Sequence, residues 1–324
     1  MTSRSDMTVD CLRVSVTDRC NMRCLYCVPE DAVVPVRRQP TLSMSEIAAL
    51  ACFLRDSYGL RTVRLTGGEP LLCPETIPLV AALAEKGLED VALTTNAQRL
   101  GDLAEPLRRA GLHRVNISLD SLDSARYAHL TRGGQLDRAL AGIEAARAAG
   151  FRSVKLNTVV LRGENDREVC DLLDFAIARG LEIRFLELMA IGCAAPNHRR
   201  WFVSSDEVIE RLKTRFQLVA LREMHDDRAR VHWVEDVRGR TGRVGFISPE
   251  TQPFCAGCRR LRLTADGTLL GCLMDATGFA LLPCFRHPKG PDFDGLHQAI
   301  RAALLSKPAM RERCSPQLMA AIGG

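Results

Sequence analysis

Six short runs of β-branched and apolar residues recur at 12–16, 62–66, 91–95, 114–119, 153–160 and 182–188, and most are followed by a longer stretch with helical periodicity. The helical stretch at 43–58 opens on Ser43, an N-cap residue with Glu46 three positions on, and the one at 137–149 is closed by Gly150. Strand and helix in alternation build right-handed βαβ units around a parallel sheet. Six units make an open three-quarter barrel; eight would close it, and eight are not found. The expected fold is therefore α/β, an incomplete (βα)6 TIM-type barrel over residues 8–220. Polar residues gather at the ends of the runs: Thr66-Gly67-Gly68-Glu69, Thr94-Thr95-Asn96, Ser118-Leu119-Asp120 and Glu187-Leu188-Met189. Barrels of this kind carry their active sites at the C-terminal ends of the strands. Taken singly, each cluster also reads as an ordinary set of helix caps.

Past Met189 the pattern changes. A helix is expected over 204–216, then shorter strands over 231–235, 243–248 and 260–263. Asp266-Gly267 is a hairpin turn between 260–264 and 268–273. A helix follows at 291–305. The soft boundary at 217–223 divides the barrel from a C-terminal α+β region over 221–324.

The strongest chemical signal is Cys20-Asn21-Met22-Arg23-Cys24-Leu25-Tyr26-Cys27, a C-x3-C-x2-C loop. A fully ligated iron–sulfur cube takes four cysteines, so a loop with three leaves one iron open to a small molecule. A structural zinc site needs four closed ligands, and no fourth Cys or His lies nearby. Cys255, Cys258 and Cys272 form a second set, C-x2-C-x13-C. There zinc stays open as an alternative, with Cys284 as fourth ligand. Arg260 and Arg262 occupy alternate positions of one strand and so face one side. That suits phosphate, which arginine binds bidentately, or equally a solvated basic face.

Composition narrows the classes. The chain has 324 residues, 46% of them apolar and 26% charged, ordinary for a soluble globular protein. No apolar run reaches membrane-span length, and the polar N-terminus lacks a signal-peptide core, so a cytoplasmic location and no membrane partner are expected. Thirteen cysteines in a chain of this length fit metal ligation in a reducing compartment better than a disulfide framework. A net charge of +5 without a concentrated basic patch argues against a nucleic-acid partner. No G-x4-G-K-[ST] loop is present, so a nucleotide is not expected to be held as in phosphoryl-transfer enzymes.

The thiol loop and Gly-Gly-Glu-Pro resemble the radical S-adenosylmethionine (SAM) superfamily, in which the open iron chelates SAM and one electron cleaves it to a 5′-deoxyadenosyl radical. Almost the whole chain resembles the GTP 3′,8-cyclase family of molybdenum cofactor biosynthesis. The residues that carry this are 12–20 with the thiol loop, 65–70, 254–267 with its second thiols and arginines, and the final Ile322-Gly323-Gly324. The resemblance implies two [4Fe-4S] clusters, one on Cys20, Cys24 and Cys27 with SAM, the other on Cys255, Cys258 and Cys272 with the substrate. It places SAM against Tyr26, Gly68, Ser118 and Met189. GTP would meet Arg13, Arg64, Thr94, Lys155, Arg184, Arg260, Leu261 and Arg262. Arg13, Arg260, Arg262, Gly323 and Gly324 are the expected catalytic residues, the glycine tail reaching into the site.

The implied reaction is abstraction of the ribose 3′-hydrogen and attack of that carbon on guanine C8, giving 3′,8-cyclo-7,8-dihydro-GTP. Implied partners are an electron donor such as flavodoxin or ferredoxin and the downstream cyclic pyranopterin monophosphate synthase, with a homodimer as the family-level expectation. Ala97 departs from the glycine that many members carry after Thr-Thr-Asn, which is expected to change that turn. Two other readings remain at this stage. A radical SAM peptide maturase also carries auxiliary clusters, although Arg260, Arg262 and the glycine tail speak against it. A non-catalytic metal-bearing regulator of nucleic acid would need a groove-binding helix or basic arm.

Overall fold

The structure, a computed structural model, describes residues 7–29, 41–221, 229–255, 257–275 and 277–307. Strand and helix alternate from β1 (Cys11–Ser15) through α1 (Met44–Tyr58), β2 (Thr62–Thr66), α2 (Thr76–Glu85), β3 (Asp90–Thr95), α3 (Leu100–Arg109) and β4 (Arg114–Ser118). The series continues with α4 (Ser124–Thr131), α5 (Leu136–Ala148), β5 (Ser153–Val160), α6 (Val169–Ala178) and β6 (Glu182–Glu187). Beyond it come α7 (His198–Trp201), α8 (Ser205–Leu212), β7 (Phe216–Ala220), β8 (Arg230–Asp236) and β9 (Thr241–Ile247). The last elements are β10 (Arg260–Leu263), β11 (Thr268–Leu270), β12 (Gly278–Ala280), α9 (Leu282–Phe285) and α10 (Phe293–Leu305).

Local chemistry explains the boundaries. At the start of α1 the Glu46 N–H donates to Ser43 Oγ (3.2 Å) and the Ser43 N–H donates to the Glu46 carboxylate (2.6 Å), a reciprocal cap. The helix then buries Ile47, Leu50 and Leu54, each worth roughly 1.5–3 kcal/mol of burial. β2 is buried at every position, as a strand covered on both faces must be. The helix expected over 204–216 instead ends at Leu212, because Phe216 leaves solvent (5% exposed) by pairing opposite Asp236 of β8. The final helix opens at Phe293, where the Gly295 N–H donates to the Asp292 side chain (2.9 Å). Gly267 supplies the left-handed turn (φ 79°) of the β10–β11 hairpin.

β1 to β6 pair in chain order, all parallel. The C-terminal strands do not form a separate sheet. β10 lies parallel beside β1, and β9 parallel beside β6. The twelve strands run β12-β11-β10-β1-β2-β3-β4-β5-β6-β9-β8-β7. Eight adjacent strands are thus parallel, and the outer two come from the C-terminal region rather than from further βα units. No pairing joins β9 to β10 among the described residues, so the barrel stays open on that side. No helix among the described residues is long and apolar enough to cross a membrane.

Candidate active site

Register brings the arginines together. Arg13 of β1 stands opposite Arg64 of β2 on one side and Arg262 of β10 on the other. Adjacent strands lie about 4.8 Å apart, and like charges directly across a sheet repel. All three side chains, with Arg260 and Arg184, line one cavity of about 370 Å³. Burial, then Arg262, Arg64 and Arg260, hold the Arg13 guanidinium well below its ordinary pKa. Burial and Arg260 push Arg262 down to about 10. Such a cluster is built for an anion.

The two thiol sets lie at opposite ends of these strands. Cys20, Cys24 and Cys27 follow the C-terminal end of β1, whereas Cys255 and Cys258 precede the N-terminal end of β10, its parallel neighbour. Cys272 follows β11, which runs antiparallel and returns to the end where β10 begins. Five residues of strand at about 3.3 Å each separate the sets by roughly 16 Å. All six cysteines line the same cavity, with the arginines between them.

The first loop is fastened from several sides. Its Arg23 and Leu25 N–H groups donate to the Thr131 and Leu130 carbonyls (2.9 and 3.0 Å). The Tyr26 hydroxyl donates to Asp120 (2.7 Å), whose other oxygen accepts from the Val159 N–H (3.0 Å). Burial pushes the Asp120 carboxyl up to about 6. Gly68 donates to the Thr17 carbonyl (2.7 Å), and a Cβ at Gly68 would lie 2.3 Å from the Arg19 carbonyl oxygen, so only glycine fits. Glu69 accepts from the Leu71 N–H, Thr95 Oγ1 and the Asn96 N–H (3.0, 2.6 and 2.8 Å), although burial raises it to about 7. The Gly-Gly-Glu turn therefore ties the approach to Cys20 to the end of β3. Ala97 is fully buried and keeps a left-handed backbone (φ 62°) despite its side chain, a strain of about 1–2 kcal/mol that glycine would avoid.

The donor chemistry fits the clusters. Burial pushes the Cys20 thiol up to about 11 and Cys24 well above the usual range, with Cys27 the next cause for Cys24. Iron must displace those protons. Among the described residues no three Cys, His, Asp or Glu side chains converge tightly enough for a single ion, whereas a cube takes one thiolate at each of three irons. The zinc alternative loses its fourth ligand, because Cys284 packs in α9 against the hydrophobic core and does not line the cavity.

Tyr26, Gly68, Thr94, Ser118 and Met189 also line the cavity. Lys155 does not: its Nζ lies 3.1 Å from Glu182, which also accepts from Arg184 Nε (2.7 Å). Leu261 turns its side chain into the core, fully buried. Gly323 and Gly324, like Cys314, lie outside the described residues. Asp120, from the polar cluster that ends β4, is on the cavity wall, and sequence reasoning missed Asn157 and Lys307, which are there too. Asn157 was findable, since it sits two positions after Lys155 in one strand. Asn157 Oδ1 and Thr94 Oγ1 are buried without a hydrogen-bond partner among the described residues, as groups awaiting a ligand would be.

Comparison with known proteins agrees with this geometry. Residues 14–176 match the radical SAM superfamily, and residues 181–312 match Molybdenum Cofactor Synthesis C. A GTP 3′,8-cyclase of Ectopseudomonas mendocina is 46% identical over 302 residues, spanning 92% of this chain and 88% of that one. GTP 3′,8-cyclase 1 of Pseudomonas aeruginosa is 46% identical over 306 residues, 94% of this chain and 91% of that one. The crystal structure of Streptococcus suis SuiB bound to S-adenosylmethionine superposes with a TM-score of 0.62 at 16% identity, over 85% of this chain and 63% of that longer one, a likeness of fold. The chain is a member of the radical SAM superfamily and, within it, of the GTP 3′,8-cyclase family.

Proposed function

We propose that the cavity holds SAM at the Cys20–Cys24–Cys27 end and GTP across the arginines towards Cys255, Cys258 and Cys272, as the GTP 3′,8-cyclase reaction that opens molybdenum cofactor biosynthesis requires. The observation that carries this is the register of Arg262, Arg13 and Arg64 between two thiol sets on one cavity. Cys20, Cys24 and Cys27 would hold the first cluster, which with SAM and one electron from the donor would supply radical chemistry for hydrogen abstraction at the ribose.

The chain's own residues do the positioning. Arg13, Arg64, Arg260 and Arg262 hold the triphosphate, with Arg184 as a further cation on the wall, while Lys155, off the wall, shares Glu182 with it. Asn157 and Thr94 offer buried polar atoms to the ligands. Tyr26, Gly68, Ser118 and Met189 form the SAM side, Gly68 by letting its backbone approach closely. Pressing C3′ against C8 in a closed cavity is catalysis by orientation. Gly323 and Gly324 would complete the substrate side on the strength of the sequence.

An electron donor of the flavodoxin or ferredoxin type, a downstream cyclic pyranopterin monophosphate synthase, a homodimer and a cytoplasmic setting belong to the same proposal. The donor and the synthase are supported by the chemistry of the reaction, which takes up electrons and hands on its product, the homodimer by the family resemblance and the cytoplasmic setting by the sequence. The test is an anaerobic incubation of reduced enzyme with SAM and GTP carrying deuterium at C3′. Deuterium should appear in 5′-deoxyadenosine, and 5′-deoxyadenosine should form only when GTP is present. Unlabelled 5′-deoxyadenosine, or release independent of GTP, overturns the proposal.

A further inference from the structure

Two residues past α10, Lys307 turns back into the cavity wall beside the second thiol set. Its ammonium donates to the carbonyl of Cys258 (2.6 Å) and to the carbonyl of Arg260 (2.7 Å), and lies 4.0 Å from Cys258 Sγ. The two carbonyl bonds pin a positive charge against one sulfur of the set. Lys307 shares the cavity wall with Arg13, Arg260 and Arg262, so positive charge gathers on this wall and a negative group beside the ammonium offsets it. A thiolate carrying iron is such a group. Outer partners of this sort orient metal ligands and tune the metal, and hydrogen bonds and charges at the sulfurs set the potential of an iron–sulfur cluster.

We infer that Lys307 is a positioning residue for the second cluster, holding the Cys258–Arg260 backbone in place and raising the cluster's reduction potential through its charge on Cys258. The inference rests on the reading that Cys255, Cys258 and Cys272 hold that cluster. Reduction adds one negative charge to the cluster, and a fixed cation beside a ligand sulfur favours the more negative state. Removing the cation therefore lowers the potential.

The experiment is an EPR-monitored redox titration of anaerobically reconstituted holoenzyme with an iron count on each sample. The wild type is compared with Lys307→Gln, which can still donate to the carbonyls but carries no charge, and with Lys307→Arg, which keeps the charge. The first cluster's signal is recognised by its change on adding SAM, leaving the second to be followed. Lys307→Gln should shift the second cluster's equilibrium at least tenfold towards the oxidised form, which for one electron is 59 mV. Lys307→Arg should stay within about threefold of wild type. Loss of the second cluster from Lys307→Gln, with retention and an unchanged potential in Lys307→Arg, would equally assign the effect to charge. The inference is overturned if Lys307→Gln keeps both clusters at wild-type potentials, or if Lys307→Arg behaves like Lys307→Gln. A wild type with about four irons instead of about eight would instead overturn the reading of the second thiol set.

Discussion

Arg262→Met is expected to weaken GTP binding and, in the same protein, to raise the melting temperature of the ligand-free fold. Arg262 is 8% exposed, stands in register with Arg13, and has Arg260 two positions away on the same strand face. Truncating one member of a buried charged contact costs about 2–5 kcal/mol, which is about 30-fold to several thousand-fold in Kd. Without the triphosphate the balance reverses, because folding buries the guanidinium beside Arg260. Its folded pKa, about 10, lies below the ordinary guanidinium value, so the charged form is penalised on folding. That penalty is fully present below about pH 10 and shrinks only as pH rises from there towards the ordinary guanidinium value, where the unfolded chain binds more protons. Across neutral pH the cost is therefore constant, and methionine of similar length removes it. GTP should raise the melting temperature of the wild type by mass action and that of the variant by distinctly less at the same concentration. Calorimetric titration and thermal melts with and without GTP check both halves; an unchanged Kd would show that the arginine row does not hold the nucleotide.

Cys24→Ala carries the largest expected loss. It removes one corner of the first cluster while leaving the backbone bonds of Arg23 and Leu25 to α4 untouched, so the fold should persist by circular dichroism. Iron should fall from about eight to about four atoms per chain, and SAM cleavage to background. The remaining irons should stay, because Cys255, Cys258 and Cys272 lie at the other end of the strands. SAM cleavage at wild-type rate with about eight irons would remove this loop from the chemistry.

Much of this was legible in the chain. Repeating strand and helix gave six parallel units with edges within a residue, because β-branched runs, the Ser43 cap and Gly150 are local signals. The alternation that put Arg260 and Arg262 on one face is also local. What the chain could not reveal was long-range register. Nothing near Arg262 states that β10 slots parallel beside β1 and sets it opposite Arg13. The same pairing sends the second thiols to the far end of the barrel and supplies one extra parallel strand, as β9 beside β6 supplies another, and no βα unit announced either. Lys307 was hidden for the same reason, since its place depends on where α10 ends against β10. Lys155 shows the opposite limit: the resemblance brings it to the substrate, but its ion pair with Glu182 leaves it off the cavity wall. At Ala97 the turn is left-handed (φ 62°), so the alanine there carries strain.

The central claim is that two iron–sulfur cubes share one cavity from opposite ends of β1 and β10. Anomalous diffraction at the iron edge from anaerobic crystals measures it directly. Two separate iron peaks should appear roughly 16 Å apart, from five residues of strand at about 3.3 Å each, one within ligand distance of Cys20, Cys24 and Cys27 and the other of Cys255, Cys258 and Cys272. One peak alone, or two that open onto different surfaces, would contradict the account.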